Sequence, residues 1–373
     1  MVNSRFHPEP KISLMLVLTG FVIIGVSIFT YLSLKKSNND SVPPLADSKQ
    51  PHITTSPIPT ITETPLTSPP KSITTSPTIP VPTSPISSSK IPVRVIILNP
   101  KNENGVGLIE RYHWNQPNIL IQQYIDFMKQ TSNYLFEYTV SAQTIAEYFP
   151  TKKDGFVFTN DYYDRCQTDP NLEHCRDIID YNKLITDFNI CQWAKESGGK
   201  EVWVFGGPWM GFWEWSIKGP NISLVAENSP DCGSTITVMG FSYERLLPEM
   251  VHDFGHRTEA VLNFVSNKYS PSKLWNKFVS PTNCGDIHYP PNTTSSYNYS
   301  SQQITSSSCD QWYSYPTLKN ETIALNCETW RCSDLGYYRW WLKHLPKSSG
   351  INENMLNNWW LYLMDFDQAM TSH

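Results

Sequence analysis

Several signals that identify common classes of protein are missing from this chain of 373 residues. Charged residues make up only 17% of it and the net charge is −5, so no basic surface indicates nucleic-acid binding. The sequence has no glycine-rich phosphate-binding motif and no nucleophile elbow of the GxSxG type. These absences count against nucleotide-binding enzymes and against serine hydrolases of the elbow type.

Cysteine is absent from the first 165 residues, and no two cysteines have CxxC spacing. The chain contains eight: Cys166, Cys175, Cys191, Cys232, Cys284, Cys309, Cys327 and Cys332. An even number within one region predicts four disulfide bonds and an oxidising compartment, with a thiolate zinc site as the alternative. Eight cysteines allow 105 pairings, and the sequence does not choose among them.

Charge is also absent from residues 12–34, a run of 23 residues that is long enough to span a bilayer. The run is longer than the apolar core of a cleaved signal peptide and has no evident cleavage site, which favours an uncleaved signal anchor. Lysine and arginine flank both ends, so charge alone does not set its orientation. The cysteines do, because they place the C-terminal part outside the cell and residues 1–11 in the cytoplasm.

Residues 37–91 are dominated by proline, serine and threonine. Such a segment buries too little apolar surface to fold, so we predict a disordered linker. The folded extracytoplasmic domain then covers residues 92–373. All 13 tryptophans follow residue 113, so this domain is rich in aromatic residues.

Hydrophobic periodicity in the first half of the domain alternates between strand and helix patterns. Strands are predicted at 92–100, 135–141, 154–159 and 201–207, and helices at 117–131, 181–197, 242–265, 335–345 and 354–369. The alternation predicts an α/β (or α+β) disulfide-rich domain with parallel strands in its first half.

The strongest chemical signal lies in the predicted helix 242–265. His252 and His256 are four residues apart, so both imidazoles lie on one helical face and can bind one zinc ion. The stretch from His252 to His256, HDFGH, resembles the HExxH zinc helix of zincin metalloproteases, particularly its HExGH form. The resemblance implies that both histidines are zinc ligands and that Asp253 takes the place of the water-activating glutamate.

Two departures from that pattern bear on the site. Asp253 is one methylene shorter than glutamate, and the position of the third metzincin histidine is Leu262, which cannot bind metal. A third ligand must therefore come from elsewhere. Glu249 and Glu259 lie on the same helical face as the two histidines. Glu249 is a candidate for the general base, and Glu259 is a candidate for the metal ligand.

The segment CGDIHYPPNTTSSYNY, residues 284–299, carries the other candidate ligands. His288 is the natural third ligand, and Asp286 is either a fourth ligand or a residue that orients one. On a short strand, both side chains would point the same way. The alternative is that His252 and His256 are structural histidines of a polar helix surface.

The segment EVWVFGGPWMGFWEW, residues 201–215, places Glu214 among tryptophans. Desolvation there would raise the pKa of a carboxylate and suit a general acid. A glycosidase needs a second carboxylate, for which Glu249 and Asp253 are candidates. The alternative is an aromatic core in which Glu214 pairs with Arg245 or Arg257.

Two functions from different classes follow from these patterns. The first is a zinc-dependent extracellular hydrolase that acts on cell-wall or surface peptide or glycan. The second is a non-enzymatic surface module that binds glycan or protein through a tryptophan-rich cleft. The expected partners are the lipid bilayer, through residues 12–34, and a cell-wall glycan or surface protein.

The segments EVWVFGGP, GHRTE and CGDIHYPPN are the most recognisable parts of the domain. With them, residues 92–373 resemble secreted bacterial proteins of unknown role, and this resemblance implies no activity.

Overall fold

A computed structural model of the protein describes residues 88–225, 229–319 and 321–372. The predicted membrane anchor at 12–34 and nearly all of the predicted linker at 37–91 lie outside these residues. Within them, no helix has the length and apolar character needed to cross a bilayer. The first strand begins at Ser89, slightly before the predicted domain boundary at residue 92.

Six of the described strands form one mixed sheet in the order β2-β1-β3-β6-β4-β5. Strands β2, β1, β3 and β6 run parallel, and β4 and β5 add an antiparallel edge. Two short antiparallel pairs, β7 with β8 and β9 with β10, lie outside this sheet. The strands are β1 Ser89–Leu98, β2 Phe136–Ala146, β3 Glu201–Gly206, β4 Trp215–Gly219, β5 Ile222–Leu224, β6 Ile236–Ser242, β7 Thr305–Ser307, β8 Ile323–Leu325, β9 Lys347–Asn352 and β10 Met355–Asn358.

Helices connect β1 to β2 and β2 to β3, whereas the chain passes through β4 and β5 between β3 and β6. Helices cover both faces of the sheet. They are α1 Leu108–Arg111, α2 Pro117–Thr131, α3 Asn160–Thr168, α4 Tyr181–Asp187, α5 Ile190–Ser197, α6 Leu247–Tyr269, α7 Leu274–Phe278, α8 Asp334–Lys343, α9 Trp360–Met364 and α10 Phe366–Thr371. Two 3-10 helices, Cys309–Ser314 and Cys327–Trp330, lie in the loop-rich region before α8.

The central strand β3 shows how the sheet divides two cores. Its side chains alternate, so that Trp203 and Phe205 pack into one core while Val202 and Val204 pack into the other. The first core includes α2, α6 and α8 and is rich in tryptophan and tyrosine. The second includes the shorter helices α3 to α5. Burial on both faces is typical of parallel strands in α/β domains and confirms the predicted class.

The element predictions succeed unevenly. The helix predicted at 117–131 is confirmed with the same bounds, and strands are present near 92–100, 135–141 and 201–207. The strand predicted at 154–159 is wrong, because these residues form a turn and a loop. The single helix predicted at 181–197 is two helices, which the left-handed backbone of Asn189 separates. The helix predicted at 354–369 is wrong at its start, where β10 pairs with β9.

All eight cysteines form disulfide bonds, as predicted. The pairs are Cys166–Cys175, Cys191–Cys232, Cys284–Cys309 and Cys327–Cys332. Four disulfides indicate that the domain folds in an oxidising environment.

Helix α6 is fixed to the sheet by a buried ion pair. Arg257 Nη1 lies 2.6 Å from Glu201 Oε2, and both side chains are almost fully buried. The Trp203 indole N–H and the Tyr138 hydroxyl also donate to the Glu201 carboxylate, so the buried charge is well solvated by the protein. Removing one partner of such a pair leaves an uncompensated charge and costs about 3–5 kcal/mol. Arg257 therefore positions α6, and it does not pair with Glu214 as one interpretation of the sequence allowed.

Candidate metal centre

Helix α6 follows β6 directly, so its first turns begin at the carboxyl edge of the parallel strands, where ligands bind in α/β sheets. Pro248 in the first turn favours helix initiation. Gly255 lets a distant segment approach this helix closely, because a Cβ atom there would lie 2.4 Å from Ile287 Cδ1. The residue that follows Ile287 is His288, so the glycine in HDFGH brings the third histidine toward the first two.

The three histidines form one compact cluster. His252, His256 and His288 each offer one ligand atom, and these atoms lie within 4.8 Å of one another. The Nε2 atoms of His252 and His288 are 3.0 Å apart. A tetrahedral zinc ion with Zn–N bonds of about 2.1 Å requires nitrogen atoms about 3.4 Å apart. Small side-chain adjustments would therefore satisfy a zinc ion.

The turn that carries His288 is held by hydrogen bonds on several sides. Asp286 Oδ1 accepts from the backbone N–H groups of His288 and Tyr289, at 2.9 and 2.8 Å. The Tyr337 hydroxyl donates to Asp286 O and the Trp341 indole N–H donates to Gly285 O. The turn is thus preorganised by α8.

Asp286 lies in a turn and not on the short strand that the sequence suggested. Residues 284–289 form a turn with a left-handed Gly285, so Asp286 and His288 are not neighbours on a strand face. The Asp286 carboxylate caps the turn, and it does not belong to the three-residue ligand groups found among the described residues. It orients His288 by fixing the backbone of that residue.

Glu259 connects the helix to the turn. Its Oε2 lies 3.0 Å from His256 Nδ1, and its Oε1 accepts from the backbone N–H of Ile287 at 2.9 Å. A carboxylate on one imidazole nitrogen fixes the ring and leaves the other nitrogen for a metal. Glu259 thus occupies the position of an orienting residue.

The three imidazoles differ in proton affinity. Burial, together with the charges of His256 and His288, lowers the pKa of His252 to about 3. Burial and His256 also lower the pKa of His288. For His256, burial acts to lower the pKa, but the hydrogen bond to Glu259 and nearby acidic charges outweigh it and the pKa is raised. His252 and His288 are therefore neutral at neutral pH, which is the form that binds metal ions.

Glu214 and Asp253 lie beside this cluster. Their carboxyl oxygens and a nitrogen of His252 are within 4.8 Å of one another. Asp253 is buried, and burial raises its pKa well above the usual range of a carboxyl group. Glu214 is exposed as a whole residue, but its carboxylate lies against His252, and burial there raises its pKa.

An open cavity of about 480 Å³ adjoins the cluster at His256. Its volume is within the usual size of a small-molecule site. Glu214 and Trp215 form one wall, and Trp275 from α7 is on its lining. His256 and Glu259 line it from α6. Asp253 does not line it, so of the two carboxyl groups beside His252, Glu214 is the one that a substrate in the cavity would meet.

The remaining candidates occupy separate positions. Glu249 lies in the first turn of α6, where its carboxylate pairs with Arg245 at 3.3 Å. It belongs to no ligand group among the described residues. Among the tryptophans of residues 209–215, Trp213 is exposed, Trp209 is half-buried and Trp215 is buried.

Tyr297 belongs to the site, although the sequence analysis did not single it out. Its hydroxyl is 2.8 Å from His288 Nε2, and its backbone N–H donates to His288 O at 2.8 Å. About half of the residue is exposed, and burial of the remainder raises the pKa of its hydroxyl. The signal available in the sequence was its place in the same segment as His288.

Comparison of the chain with protein-family models, with curated protein sequences and with solved structures finds no match.

Proposed function

We propose that this protein is a zinc-dependent hydrolase of the cell exterior, with His252, His256 and His288 as the metal ligands. One observation carries the proposal. Three imidazoles from two distant parts of the chain converge within 4.8 Å, beside an open cavity. Three protein ligands with a fourth position open to solvent are the usual arrangement of catalytic zinc.

The donor set also favours zinc. Neutral imidazole is a common zinc ligand, and the orienting carboxylate on His256 is a usual partner of a metal-bound histidine. Zinc supplies Lewis acidity and lowers the pKa of a bound water molecule to about 7. Every described cysteine is in a disulfide bond, so the proposed ligands are nitrogen atoms.

Glu214 is the general base of the proposed reaction. Its carboxylate lies at the cluster and its side chain lines the cavity, whereas Asp253 is buried and does not line it. Glu214 accepts a proton from the attacking water and returns it to the leaving group, so that one water molecule is added across the broken bond. The Tyr297 hydroxyl, near His288 Nε2, donates a hydrogen bond to the oxygen on which negative charge develops.

The substrate class follows from the location. The oxidising compartment indicated by the disulfides, together with the predicted anchor at 12–34 and linker at 37–91, supports a site outside the cell, near the wall. Peptide or glycan of the cell wall or surface is the substrate that we propose. The linker, fully extended at about 3.1 Å per residue, would reach on the order of 150 Å from the bilayer.

The alternative is the surface module that binds glycan or protein through tryptophans. It requires an exposed row of indole rings near residues 209–215, and exposure there is limited to Trp213 among the three tryptophans of that segment. The histidine cluster has no role in that function. The geometry therefore supports the hydrolase better.

The test is hydrolysis of purified cell-wall material and of an unstructured protein by the full-length chain, measured as newly released amino groups or reducing ends. We expect activity that a chelator removes and zinc restores. Glu214→Gln is expected to reduce the rate about 10²–10⁴-fold, as for other general bases, with zinc content unchanged.

Glu244→Gln is the matched control, because Glu244 is an exposed carboxylate after β6 that does not line the cavity. It is expected to keep the wild-type rate. Absence of activity from zinc-loaded protein on both materials, or full activity of Glu214→Gln, would contradict the proposed function.

A further inference from the structure

A second cavity, of about 460 Å³, lies on the face of α8 that points away from the histidines. Tyr338, on the inner face, has its ring 5.9 Å from the His252 ring. Arg339, Trp340 and Lys343 lie on the outer face and line the cavity together with Arg331. The two sites thus lie on opposite sides of α8.

The lining of this cavity is basic and lacks counter-charges. Among the described residues, Arg331, Arg339 and Lys343 form no ion pair, whereas the buried Arg257 has Glu201. Burial and the charge of Arg331 lower the pKa of Arg339, which reflects the proximity of two cations. Arg331 is exposed, whereas Arg339, whose guanidinium lies over the Phe127 ring, and Lys343 are half-buried. Half-buried cations without a carboxylate partner favour the binding of an anion.

Acidic residues nearby do not supply that anion. Asp334 is in the first turn of α8, where its carboxylate accepts from the backbone N–H of Leu335. Glu328 lies in the preceding 3-10 helix and is exposed. Neither lines the cavity. The local positive charge also contrasts with the net charge of −5 of the whole chain.

The cavity is built by specific features of the sequence. The disulfide Cys327–Cys332 closes a short loop that holds Arg331 in a left-handed conformation. Gly336 allows α8 to pack against this loop, because a Cβ atom there would lie 1.9 Å from Trp330 O. The backbone of Arg331 is therefore fixed beside α8, which carries Arg339 and Lys343, before any ligand binds.

Aromatic rings form the rest of the wall. Trp330 and Trp340 both line the cavity, with ring centroids 5.4 Å apart. Trp330 is buried and its indole N–H donates to Tyr299 O, so Trp340 is the ring that remains partly exposed. An indole face beside two guanidinium groups suits a ring that carries a carboxylate.

We propose that this cavity binds an acidic sugar unit of a surface polysaccharide. Arg331 and Arg339 contact the carboxylate, since the guanidinium fork matches its two oxygens. Trp340 packs on the sugar ring, and Lys343 adds a third cation. The site goes beyond the proposed hydrolase function and does not depend on metal at the histidines. A chain bound here runs along the outer face of α8, on the side opposite the histidine centre.

The test is calorimetric titration of the full-length chain in detergent with an oligogalacturonate. The same oligosaccharide with methyl-esterified carboxylates and a polyglutamate peptide of similar charge serve as comparisons. We expect the oligogalacturonate to bind and the ester to bind roughly tenfold more weakly or worse. Polyglutamate is expected to bind more weakly, because it offers no ring to Trp340.

Arg331→Gln combined with Arg339→Gln is expected to weaken binding at least about tenfold, and Trp340→Leu about tenfold. Lys277→Gln, an exposed cation outside the cavity, is the control and is expected to leave binding unchanged. Far-UV circular dichroism checks that each variant is folded. No binding of oligogalacturonate, equal binding of the ester or of polyglutamate, or binding unchanged by the double substitution would overturn the proposal.

Discussion

Three groups of ligand-type side chains among the described residues lie within 4.8 Å of one another, and the two that share no residue, the three histidines and the outer cluster of Asp154, His174 and Asp177, differ in chemistry. In the outer cluster, His174 Nδ1 lies 2.9 Å from Asp177 Oδ2 and 3.1 Å from Asp154 Oδ2. One imidazole N–H between two exposed carboxylates is satisfied without an ion. In the other cluster, three imidazoles meet, and the 3.0 Å contact between His252 and His288 satisfies at most one proton.

The surroundings of the two clusters differ as well, because the outer cluster is more exposed to solvent than the three histidines. His174 stacks on Phe156 in a surface loop, and the two carboxylates are about half exposed. Glu259 instead fixes the His256 ring, and the turn at Asp286 fixes His288. The carboxylates of Glu259 and Asp286 both accept hydrogen bonds from backbone N–H groups. The comparison teaches that ligand proximity alone does not define a metal site. Several imidazole nitrogen atoms that converge in a preorganised frame indicate one.

The largest expected difference between the two clusters is in zinc binding, which the substitution His288→Ala should weaken. Removal of a direct ligand is expected to weaken zinc binding more than about a hundredfold, beyond what loss of an orienting residue costs. Titration with a zinc indicator measures the affinity. The overlapping group of Glu214, His252 and Asp253 lacks His288. Zinc binding that survives His288→Ala would therefore assign the ion to that group.

A smaller effect is expected from Glu259→Gln. The amide keeps the shape of the side chain but no longer accepts at both positions as a carboxylate, so the His256 ring and the Ile287 backbone lose part of their orientation. Zinc affinity should fall about 10–100-fold. An unchanged affinity in the same zinc titration would show that Glu259 does not orient the ligand.

The smallest effect is expected in the outer cluster. Asp177→Asn removes one exposed carboxylate from His174, and exposed ion pairs contribute about 0–1 kcal/mol. The free energy of unfolding, measured by urea denaturation, should change within that range, and zinc content should stay the same. If zinc content fell, the distinction between the clusters would be wrong.

Local sequence patterns predicted those helices and side-chain positions that the spacing of nearby residues determines. Helix Pro117–Thr131 has apolar residues at helical spacing and proline at its start, and the structure confirms it. The spacing of His252 and His256 placed both on one helical face for the same reason. The even number of cysteines predicted the disulfides, although not their pairing.

Contacts between distant residues were beyond local patterns. Met355–Asn358 lies in a stretch with helical spacing, but it pairs with Lys347–Asn352 as a strand. Tyr297 reaches His288 because the turn and its hydrogen bonds fold it back, which no periodicity reveals. The position of His288 was predicted from residue type, but the roles of Asp286 and Glu259 depend on a turn that the sequence pattern did not show.

Zinc content tests the central claim most directly. The full-length chain is purified from an oxidising compartment beside His256→Ala and His174→Ala, and bound metal is measured by elemental mass spectrometry. We expect one zinc per chain in the wild type and in His174→Ala, and none in folded His256→Ala. Folded wild-type protein without metal, or zinc retained by His256→Ala, would contradict the account.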